Sequence, residues 1–362
     1  MKIIKISEPR VVMSNPHSHN SYFGWPTVAR LKNGRIAAVA SGFRLAHVCP
    51  FGKTVISFSD DEGESFTLPA PVIDTPLDDR DGGITPFGEN GVIVTSFNNT
   101  VDFQREEGEG GELARAYLDT VMPEEEAKYL GSTFRVSCDG GVTFGERIYK
   151  SPITSPHGPL ETSDGRLIWV GRTFSHDDTQ RDTDCIKVYE IDKDSFDMSY
   201  LGEIENIGYE GAAPLSCEPH TVELPSGRLL THIRVQQERE PMLFTVYQSE
   251  SDDGGVSWTK PHRILPELGG SPSHILIHSS GTLVATYGHR EKPYGVRAMF
   301  SRDGGESWEI GYELFEGVSP DLGYPSSVEL PDGSLLTVFY AKESEDGSAV
   351  IMQMKWRFED EI

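Results

Sequence analysis

Apolar residues occur along this chain in short bursts separated by polar turns. The runs Arg35–Ala40 (RIAAVA), Lys53–Phe58 (KTVISF), Val92–Phe97 (VIVTSF) and Met242–Tyr247 (MLFTVY) are rich in β-branched and aromatic residues. Runs of that length, bounded by turn residues, predict strands rather than helices. Many are joined by a tight turn ending in glycine, as in LKNGRI, SDGRLI, PSGRLL and PDGSLL. The turn glycines are Gly34, Gly91, Gly165, Gly227, Gly281 and Gly333, set roughly 50–75 residues apart. Six hairpin units at such a period predict an all-β, six-bladed β-propeller.

A second turn recurs in the pattern S-x-D-x-G-x-[ST]-[FW]. It appears at Ser59–Phe66, Ser137–Phe144, Ser251–Trp258 and Ser301–Trp308. The aspartate suits a turn because its carboxylate accepts backbone N–H groups. The glycine takes positive φ without a Cβ clash, and the terminal aromatic anchors the turn in an apolar layer. Such turns are expected to fasten hairpins at the rim, away from any chemistry.

The widest step between turn glycines holds a Glu- and Gly-rich stretch, residues 104–130. It is expected to be an inserted loop with one short helix around Glu112–Asp119. The last apolar run, Ser348–Phe358, is expected to be an inner or middle strand of blade six. Either KIIKI or RVVM near the start would add its outer strand and so remove an exposed edge. One domain over residues 1–362 is therefore expected.

Composition narrows the function classes. The 362 residues are 37% hydrophobic and 25% charged, which suffices for a substantial core. No apolar run approaches the roughly 18–20 residues of a membrane-spanning helix, and the opening MKIIKISEPRVV lacks a signal-peptide core. A cytoplasmic location is expected. The net charge of −25 argues against a nucleic-acid partner. Four dispersed cysteines, Cys49, Cys138, Cys185 and Cys217, read as free thiols. His17 and His19 read as loop hydrogen-bonding groups, and neither a metal nor a cofactor is expected.

In a propeller the ends of the inner strands crowd one mouth of the axis. The stretches leading into the six units carry polar residues: HSHNSYFGWP, DDRDGG, SPHGPLE, SCEPHT, GGSPSH and PDLGYPSS. They bring Asp79, Arg80, Asp81, His157, His220 and His274. The far ends of the same inner strands are expected to bring Arg44, Arg172, Arg234, Arg290 and Tyr340, and the next strands to bring back His47. A convergent ring of His, Arg, Asp and Tyr is expected to form a binding site.

The S-x-D-x-G-x-[ST]-[FW] turn is the Asp-box, and with the six-unit layout the chain resembles the sialidase (neuraminidase) superfamily. The resemblance implies a nucleophilic or substrate-orienting tyrosine, Tyr324 in GYPSS, with Glu218 in CEPH as its base. Arg234 and Arg290 (with Arg297 second) would belong to an anion clamp, with Arg44, Arg80 and Arg172 as further binding candidates. Two family features depart. The F-R-I-P motif reads FGWP here, so Gly24 stands where an arginine is expected and Trp25 follows it. His47 stands near the place of the acid/base aspartate, which moves the working pKa from about 4 to about 6.5. Asp79 and Asp81 are alternative acids. The resemblance implies a glycoside hydrolase acting on a terminal, acidic sugar of a glycan. A uronate lyase and a non-catalytic glycan-binding propeller are the alternatives.

Overall fold

The computed structural model describes residues 1–173, 185–207, 215–237, 243–266 and 269–360. Six antiparallel sheets follow one another along the chain. Blade one is Tyr22–Arg30, Ile36–Arg44, Lys53–Ser59 and Ala70–Ile73. Blade two is Arg80–Phe87, Gly91–Asn98, Gly131–Ser137 and Tyr149–Ser151. In blade three, Ile153–Thr154 and Leu160–Glu161 share the innermost place, followed by Leu167–Thr173, Ile186–Ile191 and Met198–Ile204. Blade four is Leu215–Glu223, Leu229–Gln237, Leu243–Ser251 and His262–Arg263. Blade five is Gly270–Ile277, Leu283–His289, Gly295–Ser301 and Glu309–Glu316. Blade six is Gly323–Glu329, Leu335–Lys342 and Ala349–Glu359.

The inner strands lie side by side around a ring that closes between blades six and one. Closure comes from the N-terminus. Lys2–Lys5 and Arg10–Met13 both pair antiparallel with Ala349–Glu359, so both candidate segments, rather than one of them, cover the last edge. The strand they cover is third from the axis.

The core is divided into six apolar seams, each between successive blades. Phe23, Val55 and Ile36 meet Val338, Leu336 and Ile351 between blades one and six. Phe87, Phe134 and Val136 meet Ile153, Leu167 and Trp169 between blades two and three. Alternation along each strand supplies both faces, so every blade is buried on both sides and no single core forms.

The Asp-boxes do more than fasten hairpins. In the last one, Asp303 accepts Ser307 N–H at 3.0 Å and Ser301 Oγ–H at 2.7 Å. Ser301 Oγ in turn accepts Gly305 N–H at 2.8 Å. Gly305 (φ 92°) lies against Leu230 of blade four, and Trp308 donates to Gln248 Oε1 of that blade at 2.8 Å. Each box thus pins its blade to the preceding one. Phe66, Phe144 and Trp258 pack into the corresponding seams.

The insertion in blade two is larger and more ordered than a loop with one helix. Three helices, Val101–Glu107, Gly111–Leu118 and Pro123–Tyr129, stand in it. Thr100 caps the first by accepting Phe103 N–H, and Val101 and Leu118 pack on Leu77. The single expected helix coincides with the middle one. Among the described residues no helix is long and apolar enough to cross a membrane.

Candidate active site

The innermost strands share one irregularity. Blades one, two, four, five and six each carry a register shift in that strand, at Gly24/Thr27, Arg80/Gly83, Cys217/His220, Gly270/Ser273 and Gly323/Ser326. At four of these, all but that of blade five, one non-glycine residue adopts a left-handed backbone: Trp25 (φ 53°), Asp81 (φ 49°), Glu218 (φ 50°) and Tyr324 (φ 47°). A bulge adds residue length to one strand and re-aims a side chain. Strain at four equivalent positions marks a built site. In three of the four the next residue is proline, which has no N–H to lose from the ladder.

The geometry tightens around two of these residues. Tyr324 Oη donates to Glu218 Oε1 at 2.6 Å. Arg234 reaches in from the neighbouring strand of blade four, and its Nη1 lies 2.8 Å from both Glu218 oxygens and 3.1 Å from Tyr324 Oη. Gln236 Oε1 holds the same guanidinium from its other side. Burial, then the Glu218 carboxylate, pushes the Tyr324 phenol well above its ordinary value, against Arg234. Tyr324 is therefore a neutral phenol whose proton has one nearby acceptor, Glu218.

Asp81 stands on the adjoining wall. It lines a pocket of about 130 Å³ with Glu218, Arg234, Arg172, Ser155 and Cys217. Its Oδ1 is buried and has no hydrogen-bond partner. Burial raises its pKa to about 7, with Glu218 adding to the rise and Arg80, Arg44 and Arg234 opposing it. A carboxyl that titrates near neutrality beside a base is the pairing that acid/base chemistry requires.

The arginines are organised differently from a free three-pronged clamp. Arg44 is buried against Asp78, 2.5 Å away, and donates to Ser41 Oγ and His47 O. Arg80 lies 3.6 Å from the same Asp78. Trp25 fills the space between them, its ring 4.9 Å from the Arg44 guanidinium and 4.4 Å from that of Arg80. Where FGWP lacks the arginine, an indole is stacked by two cations instead. Arg290 donates to Leu322 O at 3.0 Å and Tyr340 Oη at 3.1 Å, with its guanidinium 5.7 Å from the Tyr324 ring.

Three expectations are corrected by this geometry. His47 packs edge-on to Trp25, 4.8 Å between ring centres, and lies 3.3 Å from Tyr22 Oη. Partial burial, then Arg80, Arg44, Arg290 and Arg234, push its pKa down to about 3. A ring kept neutral by burial and four nearby cations does not suit the general-acid role. Asp79 is turned away from the pocket. It accepts Thr75 N–H at 2.6 Å and Thr75 Oγ1–H at 2.9 Å, and so folds a loop. His157, His220 and His274 are not at the mouth. Their rings cluster on the axis and line a different cavity.

The sequence did not single out Asp78, Gln236 or Asp321. Asp321 accepts Tyr22 Oη–H at 2.9 Å and lies 4.0 Å from His47. Asp78 and Asp321 both sit within the polar stretches leading into blades two and six. Gln236 shares the face of Arg234 two residues on, an alternation signal that could have found it.

No curated protein matches the chain. Among solved structures it is similar to a protein of unknown function from Dyadobacter fermentans, with TM-score 0.78 and 18% identity over 99% of each chain. It is also similar to the intramolecular trans-sialidase from Ruminococcus gnavus, with TM-score 0.63 and 13% identity over 96% of this chain and 97% of that one. Trypanosoma rangeli sialidase gives TM-score 0.64 and 13% identity, over 98% of this chain and 59% of that longer one. These likenesses show a shared six-bladed fold. The family described as BNR repeat-like domain matches residues 84–337, and the chain belongs to that family.

Proposed function

We propose that this protein is a glycoside hydrolase that removes a terminal acidic sugar from a glycan. The observation that carries the reading is the Tyr324–Glu218 contact at 2.6 Å, clasped by Arg234. Tyr324 attacks the anomeric carbon while Glu218 takes the phenol proton. The glycosidic C–O bond breaks, and Asp81 gives its proton to the leaving oxygen. Water then displaces the tyrosine, with Asp81 as base and Glu218 returning the proton to the phenol. A neutral nucleophile suits an anionic sugar, because it avoids the repulsion that a carboxylate nucleophile would meet. Arg80, Arg44, Arg290 and Arg234 make the mouth cationic within a chain of net charge −25.

The similar structures include a sialidase in complex with the inhibitor DANA and an intramolecular trans-sialidase. They support this class of chemistry by likeness of fold. The test is release of free sugar from sialylated and uronate-terminated glycans by the full chain, beside Tyr324→Phe and Glu218→Gln. Loss of release in both variants supports the assignment. Full activity in both, an unsaturated product detected by ultraviolet absorbance, or saturable binding without turnover would overturn it.

A further inference from the structure

The axis of the propeller holds a second polar constellation that the proposed reaction does not use. His220 and His274 stack with ring centres 4.1 Å apart, and His157 meets them edge-on at 4.9 and 5.2 Å. All three line a cavity of about 400 Å³ with Leu31, Leu160 and Pro159. The cavity reaches Lys32, beside the turn glycine Gly34, so it opens at the end of the axis away from Tyr324.

Hydrogen bonds fix which nitrogen of each ring carries the proton. His220 Nδ1 accepts Ile275 N–H at 2.9 Å, and His274 Nδ1 accepts Ser327 N–H at 3.4 Å. In a neutral ring the proton of each must then sit on Nε2. Thr27 Oγ1 donates to Pro156 O at 2.8 Å, so it accepts from His157 Nδ1 at 3.3 Å. His157 Nε2 is thereby a bare lone pair. It is buried and has no partner, in a residue only 3% exposed. Burial holds all three rings below their ordinary pKa, consistent with neutral imidazoles.

The three rings therefore line one cavity and carry between them two Nε2–H donors and one buried, unpartnered Nε2 acceptor. A metal ion is disfavoured, because the lone pairs of His220 and His274 that are not already engaged are protonated. An anion is disfavoured, because it has no proton to give His157. A hydroxyl group satisfies the set: it accepts from two N–H groups and donates to one nitrogen. Leu31, Leu160 and Pro159 offer apolar walls to the C–H face of such a molecule. We infer that this cavity is a binding site for a neutral polyhydroxylated ligand, a polyol or uncharged sugar, seated by a hydroxyl on the three histidines.

The test uses the full chain, labelled with ¹⁵N in its histidines, and glycerol and galactose as probes. The ring-nitrogen spectrum should show Nε2–H in His220 and His274 and Nδ1–H in His157. Both probes should shift those three rings saturably, in the wild type and equally in Glu218→Gln, which separates this cavity from the proposed catalytic site. His157→Phe removes the acceptor and should weaken binding at least about tenfold. The tautomer pattern and the probe selectivity need no variant, so a misfolded His157→Phe leaves them decisive. The inference fails if the tautomers differ, if sulfate or Zn²⁺ shifts the rings while neither neutral probe does, or if no probe binds saturably.

Discussion

Tyr324 Oη and Glu218 Oε1 lie 2.6 Å apart although the two residues are 106 positions apart in sequence and sit in different blades. Both occupy inner-strand bulges with a left-handed backbone, so two local distortions of the same kind converge on one hydrogen bond.

That pairing predicts the kinetic effect of breaking it. Glu218→Gln and Tyr324→Phe should each lower kcat by about 10²–10⁴-fold. The double variant should be little worse than either single one, since residues that act as a unit are not additive. Steady-state kinetics with unchanged circular dichroism checks this.

Asp81 predicts the alkaline limb of the pH profile. Its folded pKa of about 7 keeps the acid form below that pH, so the rate should decline as pH rises through 7. Asp81→Asn should lower kcat and abolish that limb. An alkaline limb of unchanged midpoint in the variant would exclude Asp81 as the acid.

Arg44 and Asp78 form an ion pair in which both side chains are fully buried. Asp78→Ala strands the guanidinium and should destabilise the fold by about 3–5 kcal/mol. Replacing both partners together, Arg44→Met with Asp78→Leu, should recover part of that loss. Denaturant midpoints of the wild type and the two variants decide the point.

His232 is buried at 1% exposure, between Ser273 Oγ and Gln248 Oε1. Burial lowers its pKa to about 3. A histidine depressed in the folded state contributes its full stability above the unfolded value near 6.5 and loses it as pH falls. At pH 5 this amounts to about 2 kcal/mol. Asp79 and Asp81, both raised to about 7, act in the opposite sense between about pH 4 and 7. The test is therefore a difference: between pH 7 and 5, His232→Gln should lose less stability than the wild type.

Gly305 tests the Asp-box as a link between blades. A Cβ there would stand 2.3 Å from Leu230 Cδ1 on a backbone at φ 92°. Gly305→Ala should cost about 2 kcal/mol while leaving kcat of the folded enzyme unchanged.

Much of this protein was legible in the order of its residues. Strand period, turn glycines and Asp-box spacing are local, and a chain that must bury both faces of every blade repeats them in plain view. Glu218, Arg234 and Tyr324 came forward through the resemblance of the short stretches CEPH and GYPSS to the sialidase pattern, which is itself local in sequence. The helical insertion was less clear, since its first and third helices carry few apolar positions, and the third has no buried residue.

By itself, then, the sequence determined the architecture, the four blade-linking turns and the strands that carry the candidate chemistry. Only the tertiary structure decided which groups face one another. His157, His220 and His274 share the mouth with Glu218 in a one-dimensional reading, yet Glu218 and His220 are two residues apart on one strand and serve different cavities. Asp79 and Asp81 likewise look interchangeable, but one carboxyl is tied to Thr75 and the other is left with an unpartnered buried oxygen. The physical reason is that proton affinity and orientation depend on burial and on charges brought from distant blades. Local patterning does not encode those quantities.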